Sequence, residues 1–202
     1  DFHPEAVLAE PGRHYLLENL FKYHASCYGT HSALECVEKL KREHRFKADD
    51  VKRAVVTVEK TNDAVCNIQK PTNGLEAKFS VRFVTALGLA DADTSDLAIY
   101  NEATAAAPAL VTLRDRVNVE IVENRPVMLT DLMVELNDGQ TLSCTADAGV
   151  PTTDYETQGT RVLAKFKRLV SPVLGEVNAL TLLARLESIR SEEHTSELQS
   201  RL

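Results

Sequence analysis

The chain has 202 residues, of which 44% are hydrophobic and 26% are charged, and its formal net charge is −7. This length and hydrophobic content are enough for one domain with a sizeable core, or for one domain and part of another. The acidic balance argues against a nucleic-acid-binding protein and against binding to an anionic membrane surface, so an anionic substrate must be attracted by a local basic cluster.

The first part of the chain carries a dense group of ionisable side chains ahead of a predicted helix. Residues 13–23 form a short apolar element that leads into residues 22–31, which read KYHASCYGTH. Apolar residues then recur at helical spacing and predict a helix from about 31 to 44. If Thr30 is the N-cap, His31 lies in the first turn, where free N–H groups and the helix dipole favour anions.

Strands and helices alternate through the middle of the chain. Residues 54–58 read AVVTV and predict a strand, and residues 64–68 are a candidate for another. Residues 70–74 read KPTNG, which is typical of a turn, and residues 75–89 then predict a helix with an apolar side. Polar residues end that helix, and Ser95 or Asp96 is a candidate cap for another short helix.

The second half of the chain predicts a helix, a strand, a hairpin and two further helices. The helix spans about 108–116, and the strand 117–122 follows it directly. Asp138-Gly139 lies between two alternating runs, 127–136 and 141–146, which predicts a β-hairpin.

Two helices return from about Tyr155, split by Ser171-Pro172 and Gly175. The elements together predict an α+β fold: a mixed or antiparallel sheet with helices packed on one face, followed by returning C-terminal helices. No strand–GxGxxG–helix and no GxxxxGK[ST] motif is present in the sequence, so neither a dinucleotide-binding fold nor a P-loop is supported.

Both ends of the sequence look unlike natural termini. The chain begins at Asp1 rather than Met, and we therefore expect it to start within a longer protein. Residues 190–200 read RSEEHTSELQS, which is the translation of a common short-read sequencing adapter. We expect residues 190–202 to be an adapter-derived artefact and leave them out of the functional argument.

Neither a membrane protein nor a metal protein is expected. No apolar run reaches the about 20 residues of a membrane span. The four cysteines show no paired framework, which is typical of reduced thiols in a cytoplasmic-type compartment. His24, Cys27, His31 and Cys36 have spacings that invite a zinc site, but they crowd one loop and one helix without the distant second pair of a structural zinc site. We therefore predict no metal.

Two sequence blocks carry a family resemblance. Residues 22–31, together with NIQKPTNGLEAKFS at 67–80, resemble the second domain of the MmgE/PrpD family. That family includes 2-methylcitrate dehydratases and cis-aconitate decarboxylases. The Asp138-Gly139 hairpin, then GVP at 149–151 and LAKF at 163–166, follow in the order that the family shows. The resemblance covers about residues 5–189.

The resemblance implies an architecture larger than this chain. Residues 1–155 would form the α+β lid-type domain, and the helices at 156–189 would pack on an N-terminal helical domain that this sequence lacks. The complete enzyme would be a homodimer that uses no cofactor, binds neither nucleic acid nor membrane, and resides in the cytoplasm, or in the mitochondrion of a eukaryote.

The resemblance also implies a reaction, the dehydration of a hydroxy-tricarboxylate such as 2-methylcitrate by general acid/base catalysis. His31 would transfer a proton and Lys22 would hold a carboxylate of this small di- or tricarboxylate substrate. The implied substrate-binding residues are His24, Cys27, Lys78, Asn67 and Ser80. Decarboxylation of the cis-aconitate type, epimerisation, and a non-catalytic α+β interaction module remain as alternatives.

Each of these residues also has a structural interpretation. His31 could be a surface histidine at a helix start, and Lys22 a solvated lysine. Lys78 could lie on a helix face, and Asn67 could stabilise a turn. A Cys27–His31 nucleophile pair is not favoured, because dehydration needs no nucleophile and no oxyanion-binding signature surrounds the cysteine.

Overall fold

A computed structural model describes residues 18–189 of the chain. The predictions for residues 13–17 and for residues 190–202 lie outside this range. The chain divides into two compact units, and the division falls between Thr153 and Asp154. Within the described residues, no helix combines the length and the apolar character needed to cross a membrane.

The first unit contains a four-stranded mixed sheet. Its strands are β1 (Val51–Glu59), β2 (Val117–Val122), β3 (Leu129–Leu136) and β4 (Thr141–Asp147). Their order across the sheet is β2-β1-β3-β4, with β1 parallel to β2 and antiparallel to β3. The β3–β4 hairpin turns at Gly139, whose φ of 91° suits glycine. The predicted hairpin is therefore confirmed.

Eight helices complete the described part of the chain. They are α1 (His31–His44), α2 (Lys60–Cys66), α3 (Gly74–Lys78), α4 (Val81–Leu89), α5 (Glu102–Ala105), α6 (Pro108–Asp115), α7 (Tyr155–Leu174) and α8 (Glu176–Ser188). Short 3₁₀ turns occupy Tyr28–Thr30, Ala48–Asp50 and Leu97–Ile99. Along the chain, helices α2 to α6 form the connection from β1 to β2. These two strands are parallel, and parallel strands require such a long crossover.

The core of the first unit lies between the sheet and two helices. Along β3, buried and partly buried residues alternate, as they do when one face of a sheet is packed. Helix α1 packs its apolar stripe against β3 and β4, and α4 packs against α1 and β2. Leu40 of α1 and Phe83 of α4 are fully buried, and each contributes about 1.5–3 kcal/mol through burial. The predicted α+β fold is confirmed.

Two local predictions were wrong. Residues 64–66 of the strand predicted at 64–68 are instead the end of α2, because the Glu59 carboxylate accepts the Thr61 N–H and begins this helix. Asn67, directly after the helix, forms only an isolated β-bridge. The predicted helix at 75–89 is two helices, α3 and α4. Ser80 separates them because its hydroxyl accepts the Phe83 N–H as the N-cap of α4.

The second unit contains α7 and α8. The two helices that the sequence predicts from Tyr155 are present, and Gly175, with a φ of 78°, separates them. Pro172 lies inside α7 and does not divide it. Among the described residues of this unit, Ala179 is the one hydrophobic residue that is fully buried. Most apolar side chains of the unit therefore keep an accessible surface.

Candidate active site

The first sequence block forms an irregular segment that runs into α1 through the Tyr28–Thr30 turn. Thr30 occupies the N-cap position, as predicted. Its hydroxyl donates to the Cys27 carbonyl at 2.8 Å, and its backbone N–H donates to the same oxygen at 3.0 Å. The Ser26 hydroxyl is also hydrogen-bonded to Thr30 at 2.8 Å. These bonds fix the entry into α1, so His31 is held as its first residue.

The His31 imidazole is buried between two other rings. The His24 ring meets it edge-on, with centroids 4.9 Å apart and planes at 75°. The Tyr28 ring lies against it at 4.7 Å and 42°, and the Tyr28 hydroxyl donates to the Ala148 carbonyl at 2.6 Å. Only 1% of His31 is exposed, so the surface interpretation of this residue is wrong. An imidazole can transfer protons near neutral pH, but because His31 is buried here, a substrate reaches it only if neighbouring side chains move.

His24 is buried and is oriented through one of its two nitrogens. Its Nδ1 is 2.7 Å from the Thr94 hydroxyl, and the Ala25 N–H beside it donates to the Thr94 carbonyl at 2.8 Å. Its Nε2 has no hydrogen-bond partner among residues 18–189. The nearest carboxylate oxygens to that nitrogen belong to Glu35 at 3.6 Å and Glu38 at 3.9 Å.

His24, Glu35 and Glu38 form a possible cation site, because their ligand atoms lie within 4.8 Å of one another. One imidazole nitrogen and two carboxylates suit a divalent metal such as zinc, and the same groups suit an imidazolium–carboxylate ion pair. The histidine and cysteine set considered from the sequence is not assembled. The Cys27 sulfur contacts that of Cys66, whereas the Cys36 thiol faces the sheet.

The second sequence block lies directly against the first. The Cys27 N–H donates to the Lys78 carbonyl at 2.9 Å, so the two blocks that carry the resemblance meet in space. The Lys78 ammonium lies 5.5 Å from the centroid of the Tyr100 ring, where a cation–π contact holds it. Lys78 is half-buried, which leaves its charge partly available to an anion.

Asn67 and Ser80 mainly support the backbone. They form an isolated antiparallel bridge with each other. The Asn67 amide donates to Asp63 at 2.6 Å and accepts from Arg82 at 3.2 Å. The Ser80 side chain is fully buried and caps α4 through the Phe83 N–H. These contacts give both residues a structural role, and their contact with a substrate stays a prediction.

Lys22 lies on the outer side of this cluster. It is exposed and is close enough to Cys66 for its charge to act on that thiol. Burial raises the pKa of Cys66, as does its hydrogen bond with Cys27, and the Lys22 charge opposes both. Lys22, Cys27 and Lys78 thus keep an accessible surface in this cluster, whereas the two histidines are buried.

Several residues that shape the site were missed from the sequence. The Ser32 hydroxyl donates to the Met128 carbonyl at 2.5 Å and accepts the Ala148 N–H at 2.9 Å, which ties α1 to the ends of β3 and β4. The Asn62 amide donates to the Gly29 carbonyl at 2.8 Å. The two sequence blocks do not predict these contacts, because the bonded groups lie 33 or more residues apart in the chain.

A family model described as the MmgE/PrpD C-terminal domain matches residues 24–188. The chain belongs to the MmgE/PrpD family. A search of curated proteins gives no match. Because both sequence blocks of the cluster fall mostly inside the matched range, the resemblance read from them is confirmed at the level of this MmgE/PrpD domain.

Proposed function

We propose that the chain is the C-terminal part of a cofactor-independent carbon–oxygen lyase that dehydrates a hydroxy-tricarboxylate such as 2-methylcitrate. The observation that carries the proposal is the match to the MmgE/PrpD C-terminal domain over residues 24–188, which include all of the second sequence block and the first from His24 onward. The hydrogen bond from the Cys27 N–H to the Lys78 carbonyl supports it, because that bond brings the two blocks into one cluster.

The reaction requires a proton to leave the carbon next to a carboxylate while hydroxide leaves the neighbouring carbon. The two departing groups make one water molecule, and a carbon–carbon double bond forms. A base takes the first proton, an acid protonates the leaving hydroxide, and cations hold the carboxylates. We assign one of the two proton transfers to His31 and the carboxylate contacts to Lys22 and Lys78.

The burial of His31 sets a condition on this chemistry. The Tyr28 ring covers the imidazole, and the Tyr28 hydroxyl is bonded to the Ala148 carbonyl. In the proposed enzyme, substrate binding displaces the Tyr28 ring, so that His31 and the substrate come within hydrogen-bond distance. Lys22, being exposed, makes the first contact with the anionic substrate.

The second proton-transfer group is proposed to come from an N-terminal helical domain outside this sequence. Helices α7 and α8 expose an unusual number of large apolar side chains, which supports a partner for them. These are Leu169, Val173, Leu174, Val177, Leu180, Leu186 and Ile189. The same exposure counts against a free-standing interaction module. The complete enzyme is proposed to be a homodimer that acts in the cytoplasm.

The test uses the whole protein encoded at the source locus, including the segment that precedes this sequence. It is incubated separately with 2-methylcitrate and cis-aconitate, and the products are identified by mass spectrometry. Loss of water from 2-methylcitrate supports the proposal. Release of carbon dioxide from cis-aconitate without dehydration of 2-methylcitrate would favour the decarboxylase instead. A whole protein that converts neither acid, nor epimerises a related one, would favour the non-catalytic module.

The role of Lys22 is tested by Lys22→Met in the same whole protein. Because the lysine holds a carboxylate as a point charge, we expect KM to rise about tenfold, equivalent to about 1.4 kcal/mol, with a smaller change in kcat. Lys39→Met is the matched control, since Lys39 is an exposed lysine farther along α1. Equal KM values for the two variants would remove Lys22 from substrate binding.

A further inference from the structure

The four cysteines form two thiol pairs. The Cys66 thiol donates to the Cys27 sulfur at 3.2 Å, although the two residues are 39 positions apart. The Cys36 and Cys144 thiols are neighbours, but they donate to the backbone carbonyls of Thr130 and Thr145. All four are free thiols in this structure. The direct hydrogen bond between Cys66 and Cys27 therefore sets that pair apart from Cys36 and Cys144.

The two pairs differ in access. Cys36 and Cys144 are both buried in the core between α1 and the sheet. Cys27 is half-buried, lies in the irregular segment before α1, and has Cys66 directly behind it. A small reagent in solution therefore meets the Cys27 sulfur first. Because thiol oxidation follows access to the sulfur, the Cys27–Cys66 pair is the reactive one.

We propose that Cys27 and Cys66 are an oxidative modification site that converts to an intramolecular disulfide in the presence of a peroxide. The Cys27 thiolate attacks one peroxide oxygen, the O–O bond breaks, and a sulfenic acid forms while the other oxygen leaves as water after protonation. The Cys66 sulfur then attacks the Cys27 sulfur, the S–O bond breaks, and the second water leaves. Two thiols are oxidised by two electrons, and one peroxide is reduced to two waters.

The surroundings of the pair favour this second step. Cys66 already contacts Cys27, so a sulfenic acid on Cys27 forms next to its resolving thiol. A disulfide requires sulfurs 2.03–2.05 Å apart, and so the two sulfurs must approach by only about 1 Å. The exposed Lys22 ammonium lies near Cys66, and its charge partly opposes the rise in the Cys66 pKa that burial and the hydrogen bond with Cys27 cause.

The disulfide would connect α2 to the segment that carries His31. Gly29 already packs closely on α2, since a Cβ at this position would lie 2.9 Å from the Cys66 sulfur. The Tyr28–Thr30 turn follows Cys27 directly and leads into His31. Oxidation would therefore fix this turn covalently and remove the Cys27 thiol from the accessible side of the cluster. The modification itself does not depend on the proposed enzymatic activity.

The test treats the reduced chain with hydrogen peroxide, quenches it, and measures its intact mass before and after reduction. We expect the wild-type chain to lose the mass of two hydrogens and to regain it on reduction. Cys27 and Cys36 fall in the same tryptic peptide, residues 23–39, so variants are needed to assign the bond. Cys27→Ser and Cys66→Ser should abolish the loss, whereas Cys144→Ser, the matched control in the buried pair, should retain it.

Three results would overturn the proposal. The first is a loss of two hydrogens that persists in Cys27→Ser, and the second is its disappearance in Cys144→Ser. In the third, Cys27 of the wild-type chain gains oxygen, but Cys66 can still be alkylated after the chain is denatured, so no disulfide has formed. An unchanged unfolding midpoint for reduced Cys27→Ser shows that the variant folds, so that its failure to oxidise can be attributed to the missing thiol.

Discussion

Gly29 lies where the described structure leaves no room for a side chain. A Cβ at this residue would lie 2.0 Å from the Asn62 side-chain oxygen and 2.9 Å from the Cys66 sulfur. Asn62 is buried, and its amide donates to the Gly29 carbonyl. Gly29→Ala must therefore displace the Asn62 side chain and break this hydrogen bond.

The expected cost follows from these two effects. Overpacking a tight contact costs about 1–3 kcal/mol, and the lost hydrogen bond costs about 0.5–1.5 kcal/mol. We therefore expect Gly29→Ala to lower the free energy of unfolding by about 1.5–4.5 kcal/mol. The measurement is guanidinium-induced unfolding of the chain followed by circular dichroism, with the slope checked for two-state behaviour.

Gly88→Ala is the matched control for this substitution. A Cβ at Gly88 would meet side chains less closely, with the nearest atoms at 3.0 Å for Leu34 and 3.2 Å for Val37. Alanine also gains about 1 kcal/mol of helix propensity inside α4, which offsets the crowding. We expect a net change within about 1 kcal/mol. If Gly29→Ala destabilises the chain no more than Gly88→Ala does, the close packing of the turn on α2 is refuted.

Two further predictions concern stability and pH. Ser80→Ala removes the N-cap of α4 and should lower the free energy of unfolding in denaturant by about 0.5–2 kcal/mol. The control Ser143→Ala, at an exposed serine, should change the free energy of unfolding by less than about 0.5 kcal/mol. Equal effects of the two substitutions would show that the cap is unimportant. The Arg125 guanidinium, which is hydrogen-bonded to Asp131, holds the pKa of that carboxyl below its ordinary value of 3.8. The ionised Asp131 therefore stabilises the folded chain above about pH 4, and this stabilisation is lost as the pH falls through the lower pKa of the folded state. Asp131→Asn should therefore be less stable than wild type at neutral pH and approach it at acid pH, and a difference in stability that stays constant over this pH range would contradict the prediction.

Local patterns in the sequence were sufficient for much of the fold. Helix α1 begins and ends where its apolar spacing predicts, and the Asp138-Gly139 pair marks the hairpin turn. The errors came where a single side chain decides the element. The Glu59 carboxylate begins α2, and the short apolar run at the end of this helix is equally typical of a strand. Ser80 begins a new helix inside a continuous apolar pattern.

Only those residues of the candidate site that lie inside the two sequence blocks could be predicted from the sequence. Lys22, His24 and His31 lie within ten residues of one another, so one motif names them all. Their environment comes from distant residues. Thr94 holds His24 from 70 residues away, and the Ala148 carbonyl holds the Tyr28 ring over His31 from 120 residues away. Such pairings depend on the tertiary fold, and no local spacing contains them.

Proton transfer by His31 is the step on which the proposed dehydration depends most. Its most direct test is the turnover of 2-methylcitrate by the whole protein carrying His31→Gln, beside His44→Gln as a matched substitution of an exposed histidine on the same helix. We expect His31→Gln to lower kcat by about 10²–10⁴-fold, the usual contribution of general acid/base catalysis, and His44→Gln to leave it unchanged. A loss of less than about threefold for His31→Gln would contradict the account, because it would leave this histidine outside the mechanism.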